Sequence, residues 1–139
     1  MTPAHRIGCC HRGGAAIEFA IVAPLFILTL LTLAAYGIYL STAHAVQQIA
    51  ADSARIAVAG LSENERRALA RDYIGSAALD YPFIDAAKLE VAVGDDAEPG
   101  QFTVRLAYDS AGLPIWNLFT FTMPDTRIER YSTIRIGGL

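Results

Sequence analysis

The chain has 139 residues, a formal net charge of −3 and a hydrophobic share of 53%. That length allows one small domain, or one membrane segment followed by a small domain. The mild, mixed charge contains no basic patch interleaved with aromatics, so it argues against a nucleic-acid partner. Both cysteines, Cys9 and Cys10, lie in the N-terminal stretch. Adjacent cysteines seldom pair, and the rest of the chain is without a disulfide.

The apolar residues are concentrated near the N-terminus. From Phe19 to Leu40 no residue is charged, whereas most acids and bases follow Asp52. As a helix, these roughly 22 residues rise about 33 Å, which matches a hydrocarbon core of about 30 Å. One transmembrane helix is therefore expected. Arg6 and Arg12 precede it with His5 and His11 and no acid, while the segment beyond it is net acidic. By the positive-inside rule the first dozen residues stay in the cytoplasm and residues 41–139 lie outside.

Three readings of this N-terminus compete. An uncleaved signal anchor explains the basic tip and the span but leaves Glu18 without a role. A secretory signal peptide would be cut at Ala43-His44-Ala45 and expose Val46, yet its apolar region would run to about 22 residues where about 7–15 is usual. A lipidation site at Gly8-Cys9 fails on order, because the apolar region must precede the cysteine and here it follows. The third reading starts from Glu18. A carboxylate costs a few kcal/mol at the centre of a bilayer and less near its edge, so it calls for a partner.

Gly13 is followed by four small or apolar residues, Gly14, Ala15, Ala16 and Ile17, then by Glu18-Phe19 and the apolar run, all behind a short basic leader. This arrangement resembles the type IV prepilin processing site, which a prepilin peptidase cuts after the glycine to leave a glutamate as the fifth mature residue. Carried over, the cut falls between Gly13 and Gly14, and Glu18 is the fifth-position acid. The Glu18-Phe19 pair and Ala23-Pro24-Leu25 narrow the resemblance to the TadE-like pseudopilins of the tight-adherence (Tad, or Flp pilus) machinery. It is strong over residues 12–40 and weaker but consistent afterwards, through a variable exported region ending in short strands. It implies a minor pilin or pseudopilin of the bacterial inner membrane that helps assemble a Tad-type pilus for surface adhesion. The implied partners are the prepilin peptidase, other pilins, the inner-membrane assembly platform and the lipid bilayer.

The physics of that site is coherent. Cleavage creates an α-amine at Gly14, and the Glu18 carboxylate of an axially staggered neighbour neutralises it. Gly13 supplies the unhindered, extended backbone that a protease needs. Gly13 and Gly14 are thus the candidate processing residues, and Glu18 and Phe19 the candidate assembly residues.

Beyond Leu40, Val46, Ile49, Ala50, Ile56, Ala57 and Gly60 form a helical stripe, with His44, Gln48, Asp52 and Arg55 opposite. The first helix is expected to continue to about Ala59, where Gly60 stops it as a C-cap. Pro24 is a potential kink of the kind membrane helices tolerate. Periodicity alone leaves open whether the stripe packs on the chain's own domain or on another pilin.

Ser62 and Glu65 form a capping box that opens a second helix, about Glu63–Ala78. Leu69, Tyr73 and Ala77 share one face, and Arg66, Arg67 and Arg71 make a basic side expected to be solvated. From Lys88 the period becomes two. Leu89, Val91 and Val93, then Phe102, Val104, Leu106 and Tyr108, predict a hairpin around the turn Gly94–Gly100. Thr126–Ile136 is a third strand, with Ile128, Ile134 and Ile136 on one face and Arg127, Glu129 and Arg135 on the other. Between them, the segment Leu113–Pro124 is nearly all apolar. Trp116, Phe119, Phe121 and Met123 are expected to fill the core. The rival reading sets this segment partly exposed against the bilayer surface or a partner subunit, because Trp favours half-wet positions.

The expected fold is α+β: a long transmembrane helix extending outward, a second short helix and a small antiparallel sheet of about three strands. It divides into a leader (1–13), the helix with its extension (14–60) and an extracytoplasmic domain (61–139). Catalysis is not expected, because His5 and His11 are in the leader, His44 stands alone on a helix, and no nucleophile elbow surrounds any serine. No cofactor is expected. Asp95, Asp96 and Glu98 offer hard oxygen ligands for calcium, but their spacing fits no calcium loop and suits a solubilising turn, as do Asp80 and Asp85 around Pro82. The alternative to a pseudopilin is an unprocessed, signal-anchored envelope protein with an extracytoplasmic binding domain.

Overall fold

The computed structural model describes residues 12–95, 100–117 and 124–136. They form helix α1 (Arg12–Ala57), helix α2 (Glu63–Ala77) and strands β1 (Leu89–Asp95), β2 (Gln101–Asp109) and β3 (Arg127–Arg135). This is the α+β arrangement expected. The chain divides into two compact units, Met1–Ala34 and Ala35–Leu139, with the boundary inside α1.

Helix α1 is uninterrupted through Pro24. The proline has no N–H to give the Ala20 carbonyl, a loss the rest of the ladder absorbs. The helix ends at Ala57, two residues before the expected position. Val58, Ala59 and Gly60 then donate backwards to the carbonyls of Arg55, Ile56 and Ala57 at 3.2, 3.2 and 3.0 Å, and these three-residue closures satisfy carbonyls that the helix leaves open.

Gly60 has a different role from the one expected. Among the described residues Gly100 alone has positive φ, at 81°, so Gly60 is not a left-handed cap. A Cβ at Gly60 would stand 2.7 Å from the Arg66 backbone nitrogen and 3.0 Å from its Cα. The glycine is there because the first turn of α2 passes against it.

That turn is capped as the sequence indicates. Ser62 Oγ accepts from the Glu65 N–H at 3.2 Å, while Glu65 Oε2 reaches back to the N–H of Leu61 at 2.9 Å. The buried face of α2 differs from the expected one: it is Ala70, Ile74 and Ala77. Leu69 and Tyr73 lie half-buried at its rim. Ala70 lets the helix approach closely, which a Leu69-centred face, about 100° further round, would prevent. The basic side is also not uniformly solvated. Arg66 sits over the Phe102 ring at 6.0 Å and its Nη1 reaches the Gly60 carbonyl at 3.4 Å. Arg67 pairs with Glu63, and Arg71 is exposed.

The sheet is an antiparallel meander in the order β1-β2-β3. Its register sets Leu89, Val91 and Val93 opposite Tyr108, Leu106 and Val104, and Phe102 and Tyr108 opposite Ile134 and Ile128. One face therefore carries the apolar residues, as the alternation predicts. Phe102, Val104, Leu106 and Ile128 are at most 1% exposed. They pack with Ala43, Val46, Ile49, Ala50, Ala54 and Ala57 of α1 and with Ala70, Ile74 and Ala77 of α2. The stripe on α1 thus covers the chain's own sheet. Ile56 is outside it and 39% exposed, and Ser53 takes a buried position by donating to the Ala50 carbonyl at 3.0 Å.

Strand β1 runs on to Asp95, which is opposite Phe102, so the connection spans residues 96–100 rather than Gly94–Gly100. Gly100 returns the chain in the left-handed region that glycine enters without steric cost. Asp96 and Glu98 lie outside the described residues, so the candidate calcium turn is not described as a site. Asp85 caps a 3-10 turn through the Ala87 N–H at 3.0 Å. Trp116 is not part of the main core. It packs with Tyr39 and Ile38 against a second cluster of Ala35, Leu113 and Ile115. Phe119, Phe121 and Met123 lie outside the described residues.

On the other face of the sheet, Arg127 bridges Glu90 Oε2 at 2.7 Å and Glu129 Oε1 at 2.8 Å. In the register Ala107 lies between those two glutamates, a side chain small enough for the guanidinium to reach across. The hydrogen bond from Arg127, with its charge, holds the Glu90 carboxyl below its usual value, and the same contacts raise Arg127.

Candidate membrane-anchoring and assembly segment

The candidate residues lie at the start of α1. Gly13 is in the first turn of the helix, which begins at Arg12, and not in extended backbone. The first turn has N–H groups without intrahelical partners, so unwinding it breaks few hydrogen bonds, and glycine makes that unwinding easier.

Gly14 has open surroundings: nothing lies within 4 Å of the position a Cβ would take. Packing within the chain therefore does not demand glycine there. Glu18 stands one turn later and is exposed. Among the described residues no cation pairs with its carboxylate. Phe19 is 73% exposed.

Around and beyond Glu18 the helix presents apolar surface on all sides. Ile17, Ile21, Val22, Leu25, Phe26 and Leu33 are each at least 59% exposed. A helix that is apolar all round is a core or membrane helix, and no part of the most apolar stretch of α1 is buried. Its hydroxyls are accommodated within the helix. Thr29 Oγ1 donates to the Leu25 carbonyl at 2.9 Å and Thr32 Oγ1 to the Leu28 carbonyl at 2.8 Å, so neither reaches lipid unsatisfied. From Ala35 the environment changes, and Ala35 is 2% exposed. Sequence reasoning did not place this change, because the uncharged run continues to Leu40 without interruption.

Helix α1 is long and apolar enough to cross a bilayer, which fits a single-span membrane anchor that leads into a small α+β domain. A family model described as TadE-like protein matches residues 13–55. Over this segment the chain is similar to TadE-like proteins. The match takes in Gly13, Glu18, Phe19 and the stripe that α1 turns to the sheet as far as Ala54, and ends before α2. No curated protein and no solved structure matches the chain.

Proposed function

We propose that this protein is a minor pilin or pseudopilin, made as a precursor and cut by prepilin peptidase between Gly13 and Gly14. It is held in the bacterial inner membrane by α1, with the leader cytoplasmic and the domain periplasmic, and takes part in assembling a Tad-type pilus for surface adhesion. Its role is structural, exercised through contacts with other pilins and the assembly platform.

The observation that carries this reading is Glu18, an exposed carboxylate with no cation partner among the described residues, at the entrance of an exposed apolar helix. Removing the leader creates a positive charge at Gly14. A neighbour displaced along the axis brings Glu18 against that amine, so that neither charge faces lipid unpaired. The open surroundings of Gly14 suit a position whose packing arises only on processing or assembly.

The test is the N-terminus of the protein purified from cells that contain a prepilin peptidase. Gly14 is expected, dependent on the peptidase and abolished by Gly13→Val. Met1 retained would favour the unprocessed anchor, a reading consistent with a helix that already begins at Arg12. Val46 would mean a secreted protein.

A further inference from the structure

We infer that the domain has its own membrane-contact site: the Leu113–Trp116 segment, joined to Tyr39 of α1, lies in the headgroup layer of the bilayer that α1 spans. The inference rests on reading α1 as a transmembrane helix.

The contacts lie within the unit Ala35–Leu139. Leu113 and Ile115 are buried against Ala35, with Ile38, Tyr39 and Trp116 packed on the same cluster. Ala35, Ile38 and Tyr39 belong to the uncharged run Phe19–Leu40. The domain therefore does not sit beyond the end of the apolar run but grips its last turns. From Gly14 to Ala34, before that grip begins, the helix rises about 31 Å, which by itself fills a hydrocarbon core of about 30 Å. Ile38 and Tyr39 then fall at the interface, together with whatever covers them.

The chemistry of the covering segment fits that depth. Trp116 is half-buried and meets Tyr39 edge to face, with centroids 6.3 Å apart and an interplanar angle of 88°. Its indole N–H donates to the Ser110 carbonyl, and the Tyr39 hydroxyl reaches the Asp125 carbonyl at 3.4 Å. Both polar tips are thus provided for while the rings remain available, the amphipathic arrangement found in interfacial aromatic belts. Pro114 and Leu40 add exposed apolar surface. No charged residue occurs between Asp109 and Asp125 in the sequence. The outer face of the sheet, by contrast, carries Glu90, Arg127 and Glu129, all well exposed.

Trp116 is the chain's single tryptophan, so its fluorescence reports this site without interference. The full-length protein is reconstituted in phosphatidylcholine vesicles carrying bromine at a known acyl carbon, and flotation of the vesicles reads insertion of α1 separately. The expected result is co-flotation with loss of Trp116 emission, greatest for bromine nearest the headgroup and weaker for bromine near the bilayer centre. Pro114→Asp, at an exposed position, should reduce that loss while flotation is unchanged. Floating protein whose emission ignores brominated lipid but falls with aqueous acrylamide would overturn the contact and leave the span standing. Emission that ignores brominated lipid and becomes shielded from acrylamide as protein density rises would assign the patch to a neighbouring subunit and also overturn it. Vesicles that float without the protein would overturn the span and the contact together.

Discussion

Replacing Gly60 by alanine tests why the helix stops where it does. The new Cβ would meet the Arg66 backbone nitrogen at 2.7 Å and its Cα at 3.0 Å, and because these are backbone atoms no rotamer change relieves the contact. Overpacking of this kind costs about 1–3 kcal/mol. Moving the first turn of α2 also loosens the Ser62 and Glu65 caps, adding about 1 kcal/mol. The lost freedom of the unfolded chain returns about 0.4–1 kcal/mol. The net expectation is a destabilisation of about 1–3 kcal/mol, against a total of about 5–15 kcal/mol for a domain of this size. Urea unfolding of the full chain in a mild detergent, followed by Trp116 emission, measures it as a shift in midpoint at constant slope. Gly60→Asn supplies the discriminating comparison. A left-handed cap tolerates asparagine better than alanine, whereas close approach makes the larger asparagine at least as costly. Alanine within about 0.5 kcal/mol of the native protein, the range of a neutral surface change, or asparagine clearly more stable than alanine, would refute the close-approach explanation.

Phe102→Ala should be the costliest truncation in the sheet, about 3–5 kcal/mol by the same unfolding assay, because the ring is wholly buried and also carries the Arg66 guanidinium. Glu90 should titrate below its usual 4.5 in an NMR experiment. The benefit of its pairing with Arg127 is present at neutral pH and lost as pH falls through that depressed value. Arg127→Gln should return the midpoint toward 4.5. Both groups are exposed, so acid stability should change little; a native midpoint at or above the usual value would contradict the ion pair. Glu18→Ala should leave membrane insertion intact or improve it, judged by alkaline extraction, while pilus assembly fails. Reduced insertion would show that the cost assigned to the carboxylate is wrong.

The elements governed by neighbours in sequence were legible beforehand. The apolar run around Pro24, the Ser62 cap and the alternation from Leu89 to Tyr108 each involve residues a few positions apart, and their periods report directly which face can be apolar. The segment that the TadE-like model matches was readable for the same reason, since Gly13, Glu18 and the apolar run form one continuous pattern.

Tertiary structure decided what depends on distance between distant residues. The sequence could not reveal that Ala70, rather than Leu69, is the residue small enough to let α2 lie against the sheet, because both are apolar and one position apart. Nor could it distinguish a glycine that turns the chain from one that makes room, and at Gly60 the neighbour requiring room is the backbone of Arg66. Composition ran the apolar segment on to Leu40, whereas the packing of Leu113 and Ile115 on Ala35 covers part of its last turns and leaves Leu40 exposed. A run of uncharged residues specifies that something apolar must cover it. Only the folded chain settles how much of it is covered by its own domain and how much stays exposed.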